Sequence, residues 1–71
     1  MTVALARPAR GEWALYDLAG RRVATLWRGA MTAGGRELSA AVPEAVRNGL
    51  YFTRFALDGR EQRTDRVAVI R

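Results

Sequence analysis

Apolar and polar positions alternate with period two along nearly the whole chain, and no helix-length stretch carries a 3.6-residue period bounded by caps. Residues 2–6 (TVALA) place Val3 and Leu5 on one face of a first strand, and Pro8 and Gly11 mark a turn after it. In residues 12–17 (EWALYD), Trp13 and Leu15 share one face and Ala14 and Tyr16 the other. Residues 22–27 (RVATLW) resume the extended pattern. Between these two runs, Asp17-Leu18-Ala19-Gly20 reads as a hairpin turn, with Asp at its start and Gly where a positive φ is wanted.

A loop from Gly29 to Gly35 follows, then a weaker strand over residues 36–42 (RELSAAV) with Leu38 and Ala40 on one side. Pro43 to Gly49 is a second loop. Pro43 suits a first helical position, so Glu44, Ala45 and Val46 are expected to make one turn, and Asn48-Gly49 bends the chain sharply. Residues 50–57 (LYFTRFAL) form the strongest strand, rich in aromatic and β-branched side chains, with Tyr51, Thr53, Phe55 and Leu57 on one face. Asp58-Gly59 is a strong hairpin signal, and residues 60–70 return as the partner strand with Val67 and Val69 aligned. About six short strands with turn signals roughly every 10 residues predict one all-β domain, an antiparallel sandwich or small barrel. Its expected core is Trp13, Leu15, Val23, Tyr51, Phe55, Val67 and Val69.

Length changes this picture by limiting the core. A chain of 71 residues makes one domain over residues 1–71. A domain of that size buries only about 60% of the surface its unfolded chain exposes. There is no Cys for a disulfide or thiolate metal site and no His. No stretch approaches the roughly 20 apolar residues of a membrane-spanning helix.

The net charge of +5 comes from twelve basic residues, every one of them Arg. A basic domain raises nucleic-acid binding, and Trp13, Tyr16, Trp27, Tyr51, Phe52 and Phe55 interleaved with arginine could stack on single strands. Against that, the arginines are spread along the chain among acidic residues, which reads as scattered surface charge. Trp13, Tyr51 and Phe55 are also needed to fill so small a core. Tyr16, Trp27 and Phe52 fall on the other faces and are the better candidates for a contact surface.

Candidate chemistry is sparse. Glu12 and Asp17 lie at odd separation, hence on opposite faces of one strand, and make a poor acid–base pair. Asp58, Glu61 and Asp65 lie in or after a hairpin, and the acidic positions lack the spacing of a calcium loop. Gly34-Gly35-Arg36 is not followed by a helix, so it reads as a flexible strand entry rather than a phosphate cradle. Neither catalysis nor a cofactor is expected.

Taken in order, YDLAGRRVATL, a glycine-led strand (AGGRELS), NGLYFTRFALDG and a closing RVAVIR resemble a known family. The chain is similar to the C-terminal sorting domains of type IX secretion cargo and to the related immunoglobulin-like domain of flagellar hook-capping proteins. The positions that carry the resemblance are Tyr16, Asp17, Gly20, Arg21, Val23, Leu26, Gly49, Tyr51, Arg66, Val67 and Val69. Together they span most of the chain. Family members commonly begin with Pro-Asn-Pro ahead of the first strand. This chain has none, since Pro8 lies after that strand.

The resemblance implies an immunoglobulin-like β-sandwich of about six to seven strands. It implies the C-terminal piece of a longer bacterial protein, secreted or held at the cell surface. Its function would be non-catalytic sorting or anchoring, with outer-membrane secretion machinery and a sortase-like transpeptidase as partners and no nucleic acid. The alternative is a structural or interaction module of a surface appendage. Asp17 and Gly20 would build the turn, and Arg21, Arg22, Arg66 and Arg71 would form the recognition surface. Unpaired strand edges make self-association a further expectation.

Overall fold

A computed structural model of residues 1–71 is all-β and antiparallel, with six strands. These are β1 (Thr2–Leu5), β2 (Ala9–Tyr16), β3 (Arg22–Met31), β4 (Gly34–Glu37), β5 (Gly49–Leu57) and β6 (Arg60–Val69). One sheet has the order β3-β2-β5-β6, and β1 pairs with β4 in a separate two-stranded ribbon. The result is a small β-sandwich in which the ribbon covers only part of the larger sheet.

Two hairpins fix the register of the larger sheet. Between β5 and β6 the turn residues Asp58 and Gly59 both have positive φ, 49° and 79°. This is the two-residue turn whose twist matches that of antiparallel strands. Between β2 and β3, the Gly20 N–H donates to the Asp17 carbonyl at 3.0 Å and the Asp17 N–H donates to the Arg21 carbonyl at 2.9 Å. Gly20 at φ 85° closes that loop in the left-handed region, as its place in the sequence predicts.

The inner face of the larger sheet carries two apolar clusters. Val3, Leu5, Met31, Leu38 and Phe55 form the first, with Trp13, Trp27 and Leu57 packed against them. Leu15, Val46 and Val69 form the second, flanked by Ala24, Leu26, Val42, Tyr51 and Val67. The ribbon, with Leu38 just beyond it, supplies the lid over the first cluster, and the strandless residues 39–48 supply it over the second. Of the expected core, Leu15, Phe55 and Val69 are buried, while Trp13, Tyr51 and Val67 are half-buried at its edge.

Val23 is the exception, 42% exposed rather than in the core. The reason is register. Trp13 faces Trp27 but Ala14 faces Thr25, and Leu15 faces Ala24 but Tyr16 faces Arg22. Leu26 and Val23 are therefore extra residues in bulges of β3, where simple alternation fails. The same bulges turn Trp27 to the inner side, against the first cluster, so it does not belong to the contact surface expected of it.

Three boundaries also differ from the sequence reading. β2 begins at Ala9, so β3 continues through the expected loop to pair Gly29 with Gly11 and Met31 with Ala9. Gly11 is thus a packing position rather than a turn marker. A Cβ there would lie 2.7 Å from the Met31 sulfur and 2.9 Å from the Trp27 ring. The strand expected over residues 36–42 ends at Glu37, because its partner β1 runs out. Leu38 exchanges two last backbone bonds with Met1 and is buried, whereas Ala40 is exposed. The expected single turn after Pro43 is present, with the Val46 N–H donating to the Pro43 carbonyl at 3.0 Å.

Candidate functional site

The outer face of the larger sheet gathers most of the chain's organised polar chemistry. Register sets it out in three rows running across the strands. The first is Arg22, Tyr16, Phe52 and Arg66; the second is Thr25, Ala14, Arg54 and Thr64; the third is Arg28, Glu12, Ala56 and Glu61. Ala14 at the centre is only 1% exposed although it faces outward. Long side chains on either side therefore cover the face as a second, polar layer.

Glu12 anchors one end of that layer. Its Oε1 accepts from Arg22 Nη2 at 2.7 Å and its Oε2 from Arg28 Nη2 at 2.7 Å. The hydrogen bond from Arg22, then that from Arg28, holds the Glu12 carboxyl below its ordinary range despite some desolvation. Arg22 also donates to the Tyr16 hydroxyl at 3.1 Å, and its pKa is raised by Glu12 first and Tyr16 second. Two cations lie over the Tyr16 ring: the Arg54 guanidinium is 4.8 Å from its centroid and that of Arg22 5.6 Å. Arg54 in turn pairs with Glu61 at 2.8 Å.

At the hairpin tip, Asp17 Oδ1 accepts from the backbone N–H groups of Ala19 and Arg21, both at 2.9 Å. These bonds, led by that from Arg21, hold the Asp17 carboxyl below its ordinary range. The Arg21 side chain meets Asp17 Oδ2 at 3.2 Å but stays 82% exposed. The sequence-predicted turn residues thus do the work of the turn itself, and Arg21 projects from it.

Arg22 and Arg66 close the two ends of the first row, so they and Arg21 occupy one end of the sheet. Arg71 does not join them. Its guanidinium donates to the carbonyls of Val42, Pro43, Glu44 and Val46 at 2.7–3.1 Å. It ties down the lid of the second cluster and stands apart from the other three arginines of the expected recognition surface. Tyr51 does similar work, its hydroxyl donating to the Arg47 carbonyl at 2.7 Å. Its ring lies over Gly49, where a Cβ would meet it at 3.5 Å, an ordinary packing contact.

Sequence reasoning placed Tyr16 and Phe52 on the contact face and missed what surrounds them. Leu18, from the hairpin loop, and Leu50, from β5, are each 65% exposed and line one shallow trough with Tyr51, Phe52 and Arg66. The signal was present in the alternation of β5, which sends Leu50 outward with Phe52. An outward leucine in an alternating strand is common enough to pass unnoticed.

No group of three or more acidic residues is placed to hold a metal ion, and every buried side-chain polar atom has a partner. What this face offers chemically is cations, aromatic rings and exposed apolar side chains in fixed register, a combination suited to contact with another macromolecule. No family model, curated protein or solved structure matches the chain.

Proposed function

We propose that this domain works by being docked: it is the C-terminal sorting domain of a longer bacterial protein, read by an outer-membrane secretion machine of type IX. In this reading a sortase-like transpeptidase then removes the domain or exchanges it for a surface anchor, and the parent is secreted or held at the cell surface. The domain itself performs no chemistry. Its contribution is a rigid surface, presented once the sandwich has folded.

The observation that carries this reading is where the family-like residues fall. Tyr16, Asp17, Gly20 and Arg21 converge on the β2–β3 hairpin, and Arg66 faces Phe52 in the row that begins there. Asp17 and Gly20 build the turn, whereas Arg21 and Arg66 are exposed and contribute little burial, so a role in recognition accounts for the two arginines better than stability does. The Asp17–Arg21 pair lies at the surface with the guanidinium in solvent, where screening leaves it little to add to stability.

The test is transport. Residues 1–71 are fused to the C-terminus of a reporter delivered to the periplasm, in a host with a type IX system and in its translocon-null twin. Reporter at the surface or in the medium of the first host alone is the expected result. Retention in both, with the domain shown to be folded, would replace sorting by a retained structural or interaction module. Export unaffected by the double substitution Arg21→Glu, Arg66→Glu would place the read surface elsewhere on the domain.

A further inference from the structure

We propose that the trough between Leu18, Leu50 and Phe52 is a docking site for an acidic peptide segment of a partner protein, which seats an apolar side chain in the trough and the neighbouring carboxylate on Arg66. It rests on the reading above that this domain works by being docked, and it names the chemistry of what docks.

Three features of the trough argue for that occupant. Its lining is mostly apolar, and two of the lining leucines are left largely in water. Burying them is a gain that only a partner can supply. Its one charged member is Arg66. The other arginines of the three outer rows already meet carboxylates: Arg22 and Arg28 meet Glu12, and Arg54 meets Glu61. Arg66 has no acidic side chain within 4.0 Å, so its guanidinium keeps its donors for an incoming group. A guanidinium beside an apolar pocket matches a carboxylate adjacent to an apolar side chain, the one supplying orientation and the other contact area. The net charge of +5 favours approach of the same acidic segment.

Peptide is favoured over nucleic acid by the company Arg66 keeps. A strand of phosphates needs a track of free cations, and on this face the neighbouring arginines are committed to Glu12 and Glu61. The trough is also short, formed by five residues, which suits one or two side chains.

The experiment is selection of a displayed random heptapeptide library on the immobilised 71-residue chain, with the Arg66→Glu variant as counter-target. An enriched consensus pairing a large apolar residue with an adjacent Asp or Glu is expected, with affinity for Arg66→Glu about tenfold or more weaker, as befits loss of a charge-assisted bond. Titrated into the isotope-labelled chain, such a peptide should shift the amides of Leu18, Leu50, Phe52 and Arg66. Leu50→Ser, at a site already exposed, should weaken binding while leaving the dispersed amide spectrum intact.

Four outcomes overturn the assignment: no enrichment, a purely apolar or basic consensus, equal binding to the Arg66→Glu variant, or a thymidine oligonucleotide that shifts the same amides more tightly than any peptide. The result is independent of export. An acidic consensus with a failed transport assay would remove sorting and leave the docking site standing. Export that succeeds without such a consensus would remove the docking site alone.

Discussion

At one end of the inner sheet face, Phe55 and Met31 lie beneath a hydrogen-bonded ribbon; at the other, Leu15 and Val69 lie beneath a segment with no strand in it. The ribbon holds itself together by backbone pairing, Thr2 with Glu37 through Leu5 with Gly34. Residues 39–48 lack any such ladder. They are held by side chains reaching up from the sheet end, with Arg71 donating to four carbonyls and Tyr51 to a fifth. Both lids satisfy the same need, covering apolar side chains on a sheet too small to fold back on itself. They differ in what they depend on: the first on chain pairing, the second on two particular donors.

The strongest way to break both ends at once is to hollow out what they cover. Leu15 is fully buried in the second cluster and Phe55 is 3% exposed in the first. Leu15→Ala should cost about 2–5 kcal/mol and Phe55→Ala about 3–5 kcal/mol. A core of this size supplies only about 3–5 kcal/mol in all. Either variant is therefore expected to be largely unfolded in a urea titration at 25 °C. A cooperative transition near the parent midpoint would mean the clusters are not the core.

Gly11→Ala probes the ribbon end more gently. The added methyl must displace the Met31 sulfur and the Trp27 ring, both of which belong to or pack on the first cluster. Overpacking of this kind costs about 1–3 kcal/mol. The thermal midpoint should fall by several degrees, with Trp fluorescence reporting a moved ring. Gly35→Ala, where a Cβ meets nothing within 4 Å, serves as the control and should change little.

Arg71→Ala acts on the other end alone. Charge-assisted bonds to carbonyls are individually strong, but these lie near the surface, so a net loss of about 1–2 kcal/mol is expected. The sharper readout is local. Hydrogen exchange should quicken at the Val46 amide and its neighbours while β1 and β4 keep their protection. Arg71→Lys should rescue little, since a single ammonium cannot span four carbonyls as a planar fork does. Uniform loss of protection over both ends would merge the two lids into one cooperative unit.

These contrasts also separate what the chain states openly from what it conceals. Both hairpins were legible because their turn residues act locally: Asp17 bonds to backbone two and four residues on, and Asp58-Gly59 adopts positive φ. Leu15, Phe55 and Val69 were legible because β2, β5 and β6 alternate regularly around them. Val23 and Trp27 were not, because the bulges of β3 answer to pairing with β2 and leave no mark in the alternation of β3 itself. The segment after Glu37 reads as strand from sequence for a related reason: LSAAV alternates acceptably, and nothing in it says that β1 has already ended. Arg71 was least legible. Its four acceptors lie 25–29 residues away, a contact that only the closed fold creates. On the candidate site, Tyr16 and Phe52 could be placed from their strands, whereas the trough depends on Leu18 folding back beside β5.

Acid should distinguish the two lids by a smaller effect. In the free 71-residue chain Glu37 accepts from the Thr2 hydroxyl at 2.5 Å and from the Met1 ammonium at 3.1 Å, and these bonds, Thr2 first, hold its carboxyl below its ordinary range. A carboxyl whose pKa is lowered by folding contributes its stability above the unfolded value and loses it as pH falls through the folded one. Stability from Glu37 should thus be intact above about pH 5 and decline below pH 4.5, in step with Glu12 and Asp17, which are lowered in the same sense. The donors that hold residues 39–48 face carbonyls, which do not titrate in this range. Between pH 5 and pH 3, exchange corrected for its intrinsic pH dependence should therefore quicken first in β1 and β4, and later at Val46. Glu37→Gln should remove that ordering by loosening the ribbon at every pH. Were residues 39–48 to open first in the parent chain, Glu37 would not be what fastens the ribbon.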